Sequence, residues 1–301
     1  MLFRSKKTKE MIINFFNGFL MALADSVPGV SGGTVAFILG FYDKFIESLD
    51  DLFRGNIEKK KKALVYLIKI GIGWVIGFLL AASVLSSLFH KEIYKLSSLF
   101  LGFIIFAIPI VIKTEKKEIK GKYKNILFFI IGLIVVIGIT LLNTTGGLNI
   151  SINNLNIVTI IYIFLSGALA ISAMILPGIS GSTILLIFGL YIPIMNKVKD
   201  LIHLEFNALP VLIIFGLGII FGVVIFAKTL RKCLEHHRSS TIYLVLGLML
   251  GSVYPIIMGP TTLESPMKML NFKNFSILYF IIGGLIIIGL EYLKKIIDKK
   301  D

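Results

Sequence analysis

The chain has 301 residues, of which 56% are hydrophobic, with a formal net charge of +14 and a mean hydropathy of +0.91. A water-soluble domain of this length is not so apolar, and several runs approach or exceed the roughly 20 apolar residues that span a bilayer. The short alternating segments of a membrane β-barrel are missing, and a single cysteine, Cys233, excludes an internal disulfide. The composition predicts an all-α polytopic membrane protein.

Eight apolar units follow one another, in two series of four. Each series opens with a long unit that a Pro-Gly pair interrupts, and three uninterrupted spans follow it. In repeat 1, residues 1–148, the units cover 11–49, 63–84, 96–112 and 125–142. In repeat 2, residues 149–301, they cover 157–196, 207–228, 240–258 and 275–293. This order predicts an internal duplication.

The two interrupted units also match in sequence. Residues 26–34 read "SVPGVSGGT" and residues 175–183 read "ILPGISGST". Further along, "GWVIG" at 73–77 matches "GIIFG" at 218–222, a spacing of small residues that suits close helix packing. We therefore treat the halves as copies of one unit.

The distribution of charge predicts the topology. Basic residues cluster on both sides of the first interrupted unit, at 4–9 and 44–62, whereas the flanks of the second unit carry few. By the positive-inside rule, the first unit enters and leaves on the cytoplasmic side and the second on the outer side. Each unit is then a re-entrant hairpin, and the three spans between them give the repeats opposite topology, an architecture of transporters. Both termini are expected in the cytoplasm. Because the basic residues follow this topology, we expect no nucleic-acid partner.

The Pro-Gly pairs predict two broken helices at membrane depth. Proline disfavours helix at the residue before it, and glycine frees the backbone beside it. Ser31 and Ser180 are candidate N-caps of the half-helices that restart there. Such a start presents free N–H groups and a positive dipole end, which together bind anions such as phosphate. The alternative for each break is a simple kink or close helix packing. The proposed phosphate ligands are Gly29, Ser31, Gly32, Gly33, Thr34, Gly178, Ser180, Gly181, Ser182 and Thr183, with Pro28 and Pro177 shaping the breaks.

Two charged residues stand out inside apolar segments. Asp25 precedes the first break, where a carboxylate is costly and is a functional candidate. It could carry a coupling proton, bind sodium or hold a basic residue, or it could only bond the broken backbone. Lys69 could reach the phosphate or extend to the headgroups. The only tryptophan, Trp74, is interpreted as a packing residue.

The stretch "ADSVPGVSGGTVAFILGFYDKFI" resembles the signature of the bacterial family known as domain of unknown function 368, as do "LPGISGSTILLIFGLY", "FAKTL" and "LGLMLGS". The resemblance covers nearly the whole chain. It implies a transporter of polyprenyl phosphate (undecaprenyl phosphate) that returns this lipid carrier across the bacterial plasma membrane for cell-wall synthesis. It therefore supplies the lipid substrate, whereas the residues alone indicate an anion transporter.

Two other functions were weighed against this one. A carrier or channel for a small, phosphate-like anion would use the same half-helices. A membrane enzyme such as a polyprenyl-phosphate phosphatase would need clustered acids, bases or nucleophiles, and the sequence shows none. We therefore expect no catalytic residues, no metal and no cofactor. The expected partners are the lipid phosphate, the membrane and a coupling proton or sodium ion.

Overall fold

The computed structural model describes residues 2–25, 31–144, 155–262 and 267–298, which are almost entirely helical. The helices of the first half are α1 (Leu2–Asp25), α2 (Gly32–Leu39), α3 (Tyr42–Arg54), α4 (Ile57–Thr114), α5 (Lys116–Ile119) and α6 (Ile126–Thr144). Those of the second half are α7 (Ile157–Ile175), α8 (Gly181–Ile187), α9 (Tyr191–Ile202), α10 (Leu209–His236), α11 (Arg238–Gly251), α12 (Val253–Met258) and α13 (Ile277–Asp298).

Six helical segments of the described ranges are long and apolar enough to cross a membrane. They are Ile57–Ala81, Glu92–Thr114, Tyr123–Leu142, Ile157–Ile175, Phe206–His236 and Arg238–Thr261. Five of them coincide with predicted spans. The sixth is α7, part of the second interrupted unit, whereas the apolar stretch found in α13, Ile277–Gly289, is shorter. Their outward faces carry exposed aliphatic side chains such as Leu64, Ile72 and Leu217. The protein is therefore a multi-pass helical membrane protein.

The first two predicted spans are joined without a loop. Helix α4 continues through the predicted connection, and only Glu92, with φ −135° and ψ 32°, departs from helical geometry. No glycine or proline lies between Gly77 and Gly102 to end the helix. The two predicted spans are therefore separate membrane-crossing segments, Ile57–Ala81 and Glu92–Thr114, which meet at a kink.

Each interrupted unit packs against the next span through glycine. A Cβ at Gly73 would collide with the carbonyl oxygen of Phe15, and one at Gly77 would lie 2.7 Å from that of Phe19. The contact moves from Phe15 to Phe19 on α1 as it moves from Gly73 to Gly77 on α4. The two helices therefore run in the same direction. The second half repeats this contact at the matching positions. There, Gly218 meets the carbonyl of Phe164 and Gly222 that of Ala168.

The remaining spans pair across the two halves. The second segment of α4 packs on α13, where Gly102 meets the carbonyl of Phe280 and Gly283 that of Leu99. Helix α6 packs on α11 in the same way, where Gly247 meets the carbonyl of Phe129 and Gly132 that of Leu244. Two pairs of spans therefore form between the halves, and each pair has one helix from either half.

Two glycines of α4 give a matched test of this packing. Gly73→Ala is expected to lower the free energy of unfolding and the yield of folded protein, because its Cβ enters the backbone of α1. Gly71→Ala should have little effect, since no atom lies within 4 Å of its Cβ. Thermal unfolding in detergent measures both, and equal melting temperatures would contradict the close contact. In the second half, Gly218→Ala should likewise lower the melting temperature, and Gly216→Ala should have little effect.

Ion pairs join the halves at the end of the bundle where α3, α10 and α11 meet. Arg231 of α10 contacts Asp51 at 2.7 Å and Asp50 at 3.2 Å, both on α3. Arg238 of α11 contacts Asp43 of α3 at 2.7 Å. It also holds both oxygens of Glu115, the residue after α4, at 2.6 and 3.0 Å. We call these residues the arginine cluster. Its ion pairs hold α3, from the first half, against two helices of the second half.

Candidate functional site

Asp25 ends α1 and caps the next helix. The backbone N–H of Gly32, the first residue of α2, donates to Asp25 Oδ1 at 2.7 Å. Trp74 of α4 donates its indole N–H to Asp25 Oδ2 at 2.9 Å. Both carboxyl oxygens therefore have a partner, and Asp25 already occupies the backbone donor at the start of α2. Trp74 packs as interpreted, with its ring stacked on Phe78 at 5.1 Å, and the bond to Asp25 is a second role that the sequence did not indicate.

Ser31 is the N-cap of α2, as its position predicted. Its hydroxyl oxygen accepts from the backbone N–H of Gly33 at 3.1 Å. Its hydroxyl proton points to the second half, where the carbonyl oxygens of Met174 and Leu176 lie 3.1 and 3.0 Å away. Ser31 is fully buried, so one hydroxyl both caps α2 and binds the end of α7.

The second break is joined to the first by a reciprocal bond. Gly178 adopts a φ of 88°, which favours glycine, and its N–H donates to Thr34 Oγ1 at 2.9 Å. Pro177, just before it, is fully buried. In addition, the buried hydroxyl of Tyr42 donates to the carbonyl of Ile175 at 3.1 Å. No local pattern in the sequence predicts this bond.

The start of α8 is built differently from that of α2. Ser180 lies at the N-cap position, but its hydroxyl makes no bond to the helix backbone. It shares a 2.7 Å hydrogen bond with Ser182 instead. Gly181 packs closely on the carbonyl of Ala170, 2.8 Å from the position of a Cβ. Thr183 is half-buried in the first turn of α8. Two hydroxyls at this start therefore bond to each other and leave the backbone uncapped by a side chain.

The structure thus brings several predicted residues of the first break against the second break. Ser31, Gly33 and Thr34 lie against the end of α7 and the second break, since a Cβ on Gly33 would lie 2.6 Å from the carbonyl oxygen of Ile175. Lys69 lies five residues before Trp74 on α4, about 7.5 Å along the helix axis. None of the hydrogen bonds described above includes Lys69. The predicted residues Pro28 and Gly29 lie outside the described residues.

Carbonyl groups at the end of α7 would be unsatisfied without these contacts. The last carbonyls of any helix lack partners within the helix, and a buried carbonyl without a partner is costly. Here hydroxyls of the first half, from Ser31 and Tyr42, supply the hydrogen bonds. The two breaks therefore stabilise one another, and a ligand that separates them must replace these bonds.

Comparison with known proteins agrees with this architecture. The family model VCA0040-like, described as undecaprenyl phosphate translocase-like, matches residues 21–275. A polyprenyl-phosphate transporter of Staphylococcus aureus is 35% identical over 254 residues, which cover 83% of this chain and 87% of that protein. A polyprenyl-phosphate transporter of Vibrio cholerae is 33% identical over 258 residues, with coverage of 82% and 78%. No solved structure matches the chain. With its matched region spanning both breaks and most of the helices, the chain belongs to the VCA0040-like family of undecaprenyl phosphate translocase-like proteins.

Proposed function

We propose that this protein transports polyprenyl phosphate between the leaflets of the bacterial plasma membrane, with the lipid phosphate bound where the two helix breaks meet. The observation that carries the proposal is the direct contact of the two breaks, through Ser31 to α7 and through Gly178 to Thr34. The membership of the family and the names of both relatives support the lipid substrate.

The proposed architecture is an inverted repeat of two re-entrant units and six spans. Three observations support it. They are the matching glycine contacts of the two halves, the packing of spans from one half on spans from the other, and the clustering of basic residues at predicted cytoplasmic loops. In this arrangement the breaks approach each other from opposite faces, and both termini lie in the cytoplasm.

The phosphate and Asp25 would compete for the same backbone donor. Asp25 now occupies the N–H of Gly32, and a phosphate arriving at the start of α2 would be repelled by this carboxylate. Release of Asp25, with uptake of a proton or a sodium ion, would remove the repulsion. This exchange would give Asp25 a role in ion coupling. The start of α8, with Ser180 and Ser182, is proposed as the second part of the phosphate site. Lys69 is proposed to add positive charge near the phosphate.

Transport by Ser31→Ala/Ser180→Ala tests the site directly. The purified variant is reconstituted in proteoliposomes, and the movement of undecaprenyl phosphate between leaflets is measured beside the uptake of free phosphate. We expect lipid movement to fall by at least about tenfold, since each lost hydroxyl removes hydrogen bonds that each contribute about 1 kcal/mol. Ser172→Ala is the matched control, because that hydroxyl bonds only to the carbonyl of Ala168 in its own helix.

Each outcome of this experiment has a clear meaning. If the double variant moves lipid as fast as the wild type, the breaks are structural and do not bind the phosphate. If the wild type takes up free phosphate and moves no lipid, the protein is a carrier of a small anion.

A further inference from the structure

An apolar cavity of about 440 Å³ opens beside the first break. It lies between α1, α2, both segments of α4 and α13, and every one of its lining residues is hydrocarbon or aromatic. Ala24, which precedes Asp25, and Val35, which follows Thr34, both line it. The cavity therefore begins one residue away from the polar groups at each side of the start of α2.

A cavity of this kind suits a hydrocarbon chain and excludes a hydrated anion. Its size lies within the range of ligand-binding clefts, about 300–1,000 Å³. Empty apolar cavities do not hold water, because a bound water needs polar partners. A phosphate at the start of α2 would lie outside the cavity, and an apolar chain attached to it would lie inside.

The cavity also reaches the lipid-facing surface. Leu80 of α4 and Ile286 of α13 line it, and both are exposed on the outside of the bundle, at 49% and 42% of their surface. Next to them, Leu79 and Leu285 are exposed to lipid as well. A chain that entered between these two helices would pass from the bilayer to the first break without crossing a polar region.

The matching region of the second half is also apolar. There the positions that match Ala24, Val35 and Phe103 are Ala173, Ile184 and Leu248. These three residues pack into one hydrophobic cluster with Val136 and Ile179. In the first half, Ala24, Val35 and Phe103 likewise share one hydrophobic cluster, and the cavity lies beside it.

On these grounds we infer that the cavity is the binding site for the phosphate-proximal isoprene units of the lipid, which enter between α4 and α13, on the side of the first break. The remainder of the chain stays in the bilayer. This inference rests on the proposed function, since that supplies the polyprenyl phosphate.

Photo-crosslinking locates the chain without a mutation. A farnesyl phosphate analogue with a diazirine on its first isoprene unit is bound to the full-length protein in nanodiscs, irradiated, and mapped by mass spectrometry. We expect labelling in peptides that contain Leu80, Phe100 or Ile286. Labelling at Ala173 and Leu248 instead would overturn the inference, as would equal labelling of the cavity by a diazirine phospholipid of the same bilayer.

A cavity-filling variant tests the inference by its rate of transport. Ala81→Phe places a ring in the cavity, since Ala81 is a buried lining residue. We expect the initial rate of polyprenyl phosphate transport to fall about tenfold, the change that corresponds to 1.4 kcal/mol. Leu79→Phe is the matched control on the same helix, with a side chain that faces lipid, and its rate should equal that of the wild type.

The outcomes separate this inference from the proposed function. If the wild type transports the lipid and Ala81→Phe does so equally well, the cavity does not hold the chain and the transport function stands. If the wild type neither transports nor crosslinks polyprenyl phosphate, the proposed function itself fails. Since Ala81→Phe could fold poorly, its melting temperature is compared with that of Leu79→Phe, and the crosslinking of the wild type decides the site in that case.

Discussion

Alanine in place of Asp25 is expected to abolish lipid transport and to destabilise the first break. The variant removes the acceptor of two donors, the Gly32 N–H and the Trp74 indole. A buried donor without a partner costs about 1–3 kcal/mol, so the start of α2 should lose its register against α7. Leaflet-resolved transport and thermal unfolding measure the two effects.

Two further variants separate the charge of Asp25 from its hydrogen bonds. Asp25→Asn keeps one acceptor oxygen and loses the negative charge, so it should bind lipid phosphate but no longer respond to an imposed proton or sodium gradient. Trp74→Phe keeps the charge and loses one donor, so its gradient response should persist at a lower rate. An Asp25→Asn protein that responds to the gradients like the wild type would contradict a coupling role and leave Asp25 as a helix cap.

Arg231→Ala should release α3 from the second half and strongly change the rate of transport. Arg231 bridges Asp50 and Asp51, which are only 11% and 14% exposed in their side chains, and its own side chain is 20% exposed. Removing one partner of such a buried pair costs on the order of 3 kcal/mol, and here the loss falls on Asp51, because Asp50 keeps its ion pair with Arg54 at 2.7 Å. We expect the variant to show easier access of a thiol reagent to single cysteines placed on α3, and an altered transport rate.

Lys228→Ala is the matched control for this variant. Lys228 lies one turn earlier on α10, is exposed, and borders an open basic cavity together with Lys232 and Arg54. Lys228→Ala removes one positive charge from the same end of the bundle, as Arg231→Ala does. Equal effects of Arg231→Ala and Lys228→Ala would show that net charge matters there and that the arginine cluster does not hold the halves together.

The sequence predicted the helical class, most spans and the positions of both breaks, because each rests on a local signal. Apolar length, basic flanks and Pro-Gly pairs act within a few residues. The N-cap at Ser31 was predictable for the same reason. The partners across the chain were not: the bond from Ser31 to α7 and the bond from Trp74 to Asp25 depend on which helices meet.

The differences between the two copies show the same limit. Ser31 and Ser180 occupy matching positions, yet one caps its helix and the other bonds to Ser182. The second copy has Ser182 where the first has Gly33, so a competing hydroxyl is present on one side only. The site is therefore unequal at the atomic level, despite the repeat in sequence.

The packing of spans from one half on spans from the other has a consequence for biosynthesis. The second segment of α4 packs its Gly102 against α13, which is synthesised after the other described helices. Until then this glycine-lined face must be covered by lipid or by an insertion chaperone. The first half cannot reach its final packing before α13 has been made, so we expect deletion of α13 to expose the first half to proteolysis.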